Sequence, residues 1–244
     1  MKIKAIKSFP ITTNDRDYFF LKVETDEGIY GVGEAGIARW NRAIEQEVAH
    51  FENWLIGKDP FSTELLWQLM FRGAFFPADK VICCAISAID IALWDIKGKA
   101  LNIPVYKLLG GPVRDKVICY PHNDGNSTEE LLESCQRSVY DGWKFVRWGL
   151  GETSIRSGTF DPGTAIRQTV EEVHKVRQMI GDEIEICLDV HTRLDTPMTI
   201  RLAKELEPYK LFFIEDPLRS ENTSSYRTLA RHVSTPIAAG EQWA

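Results

Sequence analysis

Glu185-Ile186-Cys187-Leu188-Asp189 is the first of three short apolar runs that end in a carboxylate; Leu211-Phe212-Phe213-Ile214-Glu215 and Ile237-Ala238-Ala239-Gly240-Glu241 are the others. The intervals from Asp189 to Glu215 and from Glu215 to Glu241 are both 26 residues. That length holds one strand, one crossover helix and the loops between them, the repeat of a parallel β/α array. Repetition lines up successive strand ends along one rim, so three acids far apart in the chain are expected to converge. Like charges held together raise at least one carboxyl pKa unless a cation lies between them. Oxygen donors alone, with no His or Cys in the trio, suit Mg²⁺ better than Zn²⁺. The plainer alternative is that each acid marks the solvated end of a buried strand.

Outward from these runs, strand and helix patterns keep alternating. Val117 to Tyr120 and Lys144 to Trp148 read as two earlier strands, and Ser127-Thr128-Glu129-Glu130 opens a helix with a capping-box pattern. A helix from about Gly163 to Ile180 presents Ile166, Val170, Val173 and Met179 and is ended by Gly181. Ile184 to Asp189 is the third strand, Thr196-Pro197 begins the next helix, and Leu211 to Glu215 and Pro236 to Glu241 are strands four and five. The expectation for residues 116–244 is the N-terminal part of a (β/α)₈ TIM-type barrel, truncated after about the fifth strand, since a complete barrel takes roughly 250 residues. Active sites of that fold lie at the C-terminal ends of the strands, where Asp189, Glu215 and Glu241 fall. A five-stranded flavodoxin-like sheet is the rival, and it leaves three consecutive acid-ended strands unexplained.

Before Gly110-Gly111-Pro112 the texture differs. Residues 2 to 33 read as strands, with alternation over Tyr18 to Val23, a turn at Asp26-Glu27-Gly28 and a return over Ile29 to Val32. Helical spacing follows in Ile44, Val48, Phe51, Trp54 and Leu55, then in Leu65, Leu66, Leu69 and Met70, then from Ala85 to Ala100 through Ile86, Ile89, Leu93 and Ile96. Strands followed by helices make residues 1–115 an α+β unit.

The 244 residues, 44% apolar and 26% charged, supply ample core. A net charge of −6 argues against nucleic acid, whose binding depends on clustered Lys and Arg. No long apolar run and no signal-peptide pattern occurs, so neither a membrane nor export is expected and the cytoplasm is the expected location. Cys83, Cys84, Cys119, Cys135 and Cys187 form no CxxC pair and read as free thiols in apolar stretches. The expected partners are a small-molecule carboxylate and further copies of the chain as a homo-oligomer.

Ala85-Ile86-Ser87-Ala88-Ile89-Asp90-Ile91-Ala92-Leu93-Trp94-Asp95-Ile96-Lys97-Gly98-Lys99, continuing to Pro104-Val105-Tyr106-Lys107-Leu108-Leu109-Gly110, resembles the first signature of the mandelate racemase and muconate lactonizing enzyme group of the enolase superfamily. Asp189-Val190-His191 and Ile214-Glu215-Asp216-Pro217 resemble the second, with Thr199 where a smaller or apolar residue is usual, and Gly240-Glu241 matches the third metal ligand. The resemblance spans essentially the whole chain. It implies a capping domain over residues 1 to about 115 and an Mg²⁺-binding barrel after it, with Asp189, Glu215 and Glu241 as ligands. It also implies abstraction of a proton α to a substrate carboxylate, with Mg²⁺ stabilising the enediolate.

The branch is read from departures. Racemase and lactonizing members carry Lys-x-Lys on the second barrel strand, and this chain has Val146-Arg147-Trp148-Gly149. Arg147 stays protonated and Gly149 has no side chain, so that base is missing. Mannonate dehydratases pair an Arg on this strand with a Tyr, yet residues 148–163 contain no Tyr. Galactonate dehydratases carry Asp-x-His-x-Arg on the third strand, matched by Asp189-Val190-His191-Thr192-Arg193. Strand alternation would set His191 beside Asp189, where an imidazole suits protonation of a departing hydroxyl. The resemblance thus implies an acid-sugar (aldonate) dehydratase, a hydro-lyase giving a 2-keto-3-deoxy acid, with the base, a His on the seventh strand, beyond residue 244. An epimerase, racemase or cycloisomerase on the same scaffold is the alternative, and a non-catalytic metal-binding fragment is another. Arg147 and Arg193 are either substrate ligands or structural ion-pair partners. Asp216 reads as a support rather than a ligand. Of His50, His122, His174 and His232, only His122, just after the first strand, lies where it could reach the mouth. Arg39-Trp40-Asn41-Arg42 and Phe75-Phe76-Pro77 read as cap loops that could close over the site.

Overall fold

Phe19, Leu21 and Val23 alternate with Tyr18, Phe20 and Lys22, and the period of two makes them one buried and one open face of a strand. A computed structural model of the chain describes residues 1–14, 16–36, 39–151 and 160–243. It divides into two compact units, Met1–Asp115 and Lys116–Trp243.

In the first unit, β1 (Ile3–Thr12), β2 (Asp17–Thr25) and β3 (Tyr30–Ala35) form an antiparallel meander in that order. Gly28, at φ 82°, makes the turn between β2 and β3 that a side chain would strain. Helices α1 (Asn41–Leu55), α2 (Thr63–Arg72) and α3 (Lys80–Leu101) share one core with the inward face of the meander. Helix α3 starts five residues before Ala85, because Asp79 accepts the Ile82 backbone N–H at 3.0 Å and caps it there. Its small residues have a counterpart in β3: a Cβ on Gly31 or Gly33 would lie 1.9 Å from the carbonyl oxygen of Ala92 or Ala88. Strand and helix touch backbone to backbone. Asp95 adds a polar tie, accepting the Val32 N–H at 2.9 Å and pairing with Lys99, which itself donates to the Tyr30 carbonyl. A single helical turn, α4 (Val105–Leu108), follows.

In the second unit, β4 (Phe145–Gly149), β5 (Glu185–Asp189), β6 (Phe213–Glu215) and β7 (Ile237–Ala238) form a parallel sheet in sequence order. Helix α5 (Thr128–Tyr140) precedes β4, and α6 (Pro162–Ile180), α7 (Thr196–Leu206) and α8 (Thr223–Ala230) precede β5, β6 and β7. Ser127, Asp161 and Asp195 cap the first three of these through their side chains. Arg177, near the end of α6, donates to the carbonyls of Gly181, Ile184 and Tyr209 at 2.7–3.2 Å and so binds the helix terminus to the start of β5 and to the turn before β6.

Two expectations are corrected. Val117 to Tyr120 is not a strand: Val117 and Ile118 are largely exposed, and a strand needs a ladder and something to bury against. Four parallel strands are therefore seen among the described residues rather than five. The last run is a strand only over Ile237–Ala238, which leaves Glu241 three residues beyond the ladder.

Candidate functional site

Alternation along these strands decides which side chains share a face. Arg147 is in register with Cys187, and Cys187 with Phe213; the next row is Gly149, Asp189, Glu215 and Ala238. Every second residue projects to the same side, so these two rows line one face. Val146, Trp148, Ile186, Leu188 and Ile214 occupy the other and are buried with the helices.

On the polar face Arg147 reaches one row up to the strand ends. Its Nη2 donates to Asp189 Oδ2 at 2.5 Å and to Glu215 Oε2 at 3.1 Å, and its Nε donates to the same Glu215 oxygen at 3.2 Å. Asp189 is 4% exposed. The guanidinium therefore offsets the repulsion between two carboxylates on adjacent strands. Its remaining arm, Nη1, lies 3.1 Å from His122 Nδ1. Because a guanidinium only donates, His122 accepts there and its Nε2 carries the proton.

His191 comes beside Asp189 by a route other than strand alternation. β5 ends at Asp189, and His191 and Thr192 turn back in the left-handed region at φ 53° and 60°. Asp189 Oδ1 accepts the His191 backbone N–H at 2.8 Å, and Oδ2 lies 3.1 Å from His191 Nδ1. The carboxylate fixes the ring through Nδ1 and leaves Nε2 for an incoming group. Two adjacent non-glycine residues in this region are costly, and such strain gathers where geometry is held for a purpose.

Asp216, also at positive φ, is 4% exposed and its Oδ1 receives the Gly240 N–H at 3.4 Å. Burial pushes its carboxyl above the usual range, and Glu241, Glu215 and Asp189 push it further. The acids of three strands thus contribute to one negative field. As a ligand set they are not drawn together: among the described residues no group of three His, Cys, Asp or Glu side chains is close enough to hold a metal ion. Asp189 and Glu215 meet on Arg147, and Glu241 lies exposed on the turn after β7. The donor chemistry nevertheless fits a hard cation, because carboxylate oxygens at two neighbouring strand ends already require a positive partner, and the third acid acts on the same region.

Arg193 is exposed, and no side-chain ion pair or hydrogen bond is found for it among the described residues. Thr199, unusual for its position, is buried with its hydroxyl donating to the Asp195 carbonyl at 2.8 Å and 3.3 Å from the Pro217 carbonyl oxygen. Asn123 and Tyr120 were not legible as site residues. Asn123, 4% exposed, donates its backbone N–H to the Arg147 carbonyl at 2.7 Å and accepts the Arg147 N–H on Oδ1 at 3.2 Å, with its amide anchored to Ser138 Oγ at 2.7 Å. It does for β4 what a neighbouring strand would do. In sequence it looks like a turn former in His122-Asn123-Asp124-Gly125, and only the burial distinguishes it. The Tyr120 ring lies against Phe213 on the polar face, and burial, then the Glu215 charge, raises its hydroxyl pKa.

Residues 4–110 match the family model of the mandelate racemase / muconate lactonizing enzyme N-terminal domain, and residues 130–244 match that of the enolase C-terminal domain-like family. The chain is 39% identical to D-galactonate dehydratases of Pectobacterium atrosepticum and Ralstonia pickettii, over 99% of its own length and 62% of theirs. It therefore spans less than two thirds of the curated relatives it matches. Among solved structures, a candidate dehydratase from Zymomonas mobilis ZM4 superposes with a TM-score of 0.91 at 34% identity, covering 99% of this chain and 67% of that one. An enolase from Pantoea ananatis, solved with bound D-gluconate and Mg, gives 0.90 at 32% identity over 99% of this chain and 66% of that one. The capping and barrel domain models cover the two units in turn, and the chain belongs to the enolase superfamily, in its mandelate racemase and muconate lactonizing enzyme group, with galactonate dehydratases among its relatives.

Proposed function

We propose that the protein is an Mg²⁺-dependent acid-sugar dehydratase, a carbon–oxygen lyase that removes the C2 proton and the C3 hydroxyl of an aldonate to give a 2-keto-3-deoxy acid. The observation that carries this reading is the oriented Asp189–His191 pair beside Glu215 at adjacent strand ends. The similarity to galactonate dehydratases and to a gluconate-bound enolase supports it. Asp189, Glu215 and Glu241 would hold the metal, whose fixed charge counters the negative charge that grows on the substrate carboxylate.

The chain's own residues then divide the remaining work. Asp189 orients the His191 ring, so that a proton held on Nε2 is presented to the leaving C3 oxygen. Arg147 and Arg193 supply cationic donors for substrate oxygens, Arg147 from the polar face and Arg193 from the exposed turn. Arg147 is no base, and with no lysine on β4 the racemase and cycloisomerase chemistry of the group lacks its usual proton acceptor. The base that takes the C2 proton is expected on a later strand and is not assigned to a residue of this chain. The protein incubated with Mg²⁺ and either D-gluconate or D-galactonate is expected to release a 2-keto-3-deoxy acid, read by mass spectrometry. Solvent deuterium entering C2 with no loss of water, across a panel of acid sugars, would replace dehydration by epimerisation.

A further inference from the structure

Arg147 Nη2 is hydrogen-bonded to Asp189 Oδ2 and Glu215 Oε2, and a cation coordinated by these two acids draws on the same carboxylates. A guanidinium hydrogen-bonded at 2.5–3.2 Å to one oxygen of each carboxylate takes up part of their acceptor capacity, and its charge repels a divalent ion at the same strand ends. We infer that Arg147 is a built-in counter-cation that competes with the divalent metal for Asp189 and Glu215 and thereby weakens metal affinity. The inference rests on the metal-site reading above and concerns the regulation of that same site.

Two further contacts make Arg147 a group with more than one seat. Its Nη1 is on His122 Nδ1, an acceptor outside the carboxylate pair. Both its backbone N–H and its carbonyl are bonded to Asn123, so side-chain movement leaves β4 in place. The guanidinium can turn from the carboxylates toward His122 without disturbing the ladder. Metal entry is then an exchange of one cation for another at the strand ends, and the site never holds its carboxylate pair without positive charge.

The test is calorimetric titration of MgCl₂ into wild-type protein, Arg147→Met and Arg147→Lys, with Mn²⁺ binding by electron paramagnetic resonance as a second readout. Charge-assisted hydrogen bonds of this kind set the scale: Arg147→Met is expected to bind Mg²⁺ about tenfold more tightly than wild type, with Arg147→Lys between them. Thermal unfolding separates competition from a merely structural role. In chelator Arg147→Met melts below wild type, and Mg²⁺ raises its melting temperature by more than it raises that of wild type. Binding by wild type with no tighter binding by Arg147→Met overturns the competition and leaves the metal site standing. Absence of Mg²⁺ and Mn²⁺ binding in all three proteins overturns the metal-site reading and this inference with it.

Discussion

At the scale of single residues the site is a chain of dependence, in which each functional side chain is held by another. His191 depends on Asp189 for both its backbone turn and its ring. His191→Asn is expected to lower dehydration turnover by about 100-fold or more, the usual worth of a positioned proton donor, while calorimetric Mg²⁺ affinity changes little; unchanged turnover would remove His191 from the mechanism. Arg147 depends on Asn123. Asn123→Ala strips a buried acceptor from the Arg147 N–H and a donor from Ser138, and a loss of about 1–3 kcal/mol in denaturant unfolding is expected. A wild-type denaturation midpoint in that variant would show that the clamp is dispensable. The sequence put His122 where it could reach the mouth, but signalled no contact of His122 or Asn123 with Arg147. Their spacing from Arg147 is irregular, and the contacts exist only because the segment after residue 116 runs beside β4.

At the scale of elements, two packing devices decide the layers. Gly31 and Gly33 let β3 lie directly on α3, so Gly33→Val is expected to cost at least about 2–3 kcal/mol through overpacking against the Ala88 carbonyl. Chemical denaturation tests this, and the same substitution at Gly28, where a Cβ meets nothing, isolates the effect of φ from that of crowding. Arg177 is the corresponding device in the second unit. Truncation to Met leaves the Ile184 and Tyr209 carbonyls without their donor, and a destabilisation of about 2 kcal/mol or more is expected. Faster hydrogen exchange at β5 and at the turn before β6 would localise it. The helices here were readable because caps and apolar spacing are local. The strand over Val117 to Tyr120 failed for the opposite reason, since a β-prone run becomes a strand only where a partner and a cover exist.

For the molecule as a whole, buried thiols give a pH dependence of stability. Burial pushes Cys135 and Cys187 up to about 12, from the ordinary thiol pKa near 9 that they regain on unfolding. The unfolded chain therefore loses protons first. The stabilisation is full below pH 9 and is lost as pH rises toward 12, so unfolding free energy should fall across that window. In Cys135→Ala the decline should be shallower, as pH-dependent denaturation would show. Only the exposed Cys119 should react quickly with a thiol reagent in the native state.

Sequence alone determined the main helices, the family and the two acids that end β5 and β6, because helix caps, residue periodicity and contiguous motifs are written in neighbouring positions. The tertiary structure decided which charges meet. Asp189 and Glu215 share Arg147 because parallel register sets Asp189 opposite Glu215 and Arg147 one row below, 42 and 68 residues away in the chain. Equal spacing of 26 residues could not reveal that β7 stops at Ala238 and leaves Glu241 on a turn. Spacing measures the length of chain between two groups, and the electrostatics of a site depend on their distance through space.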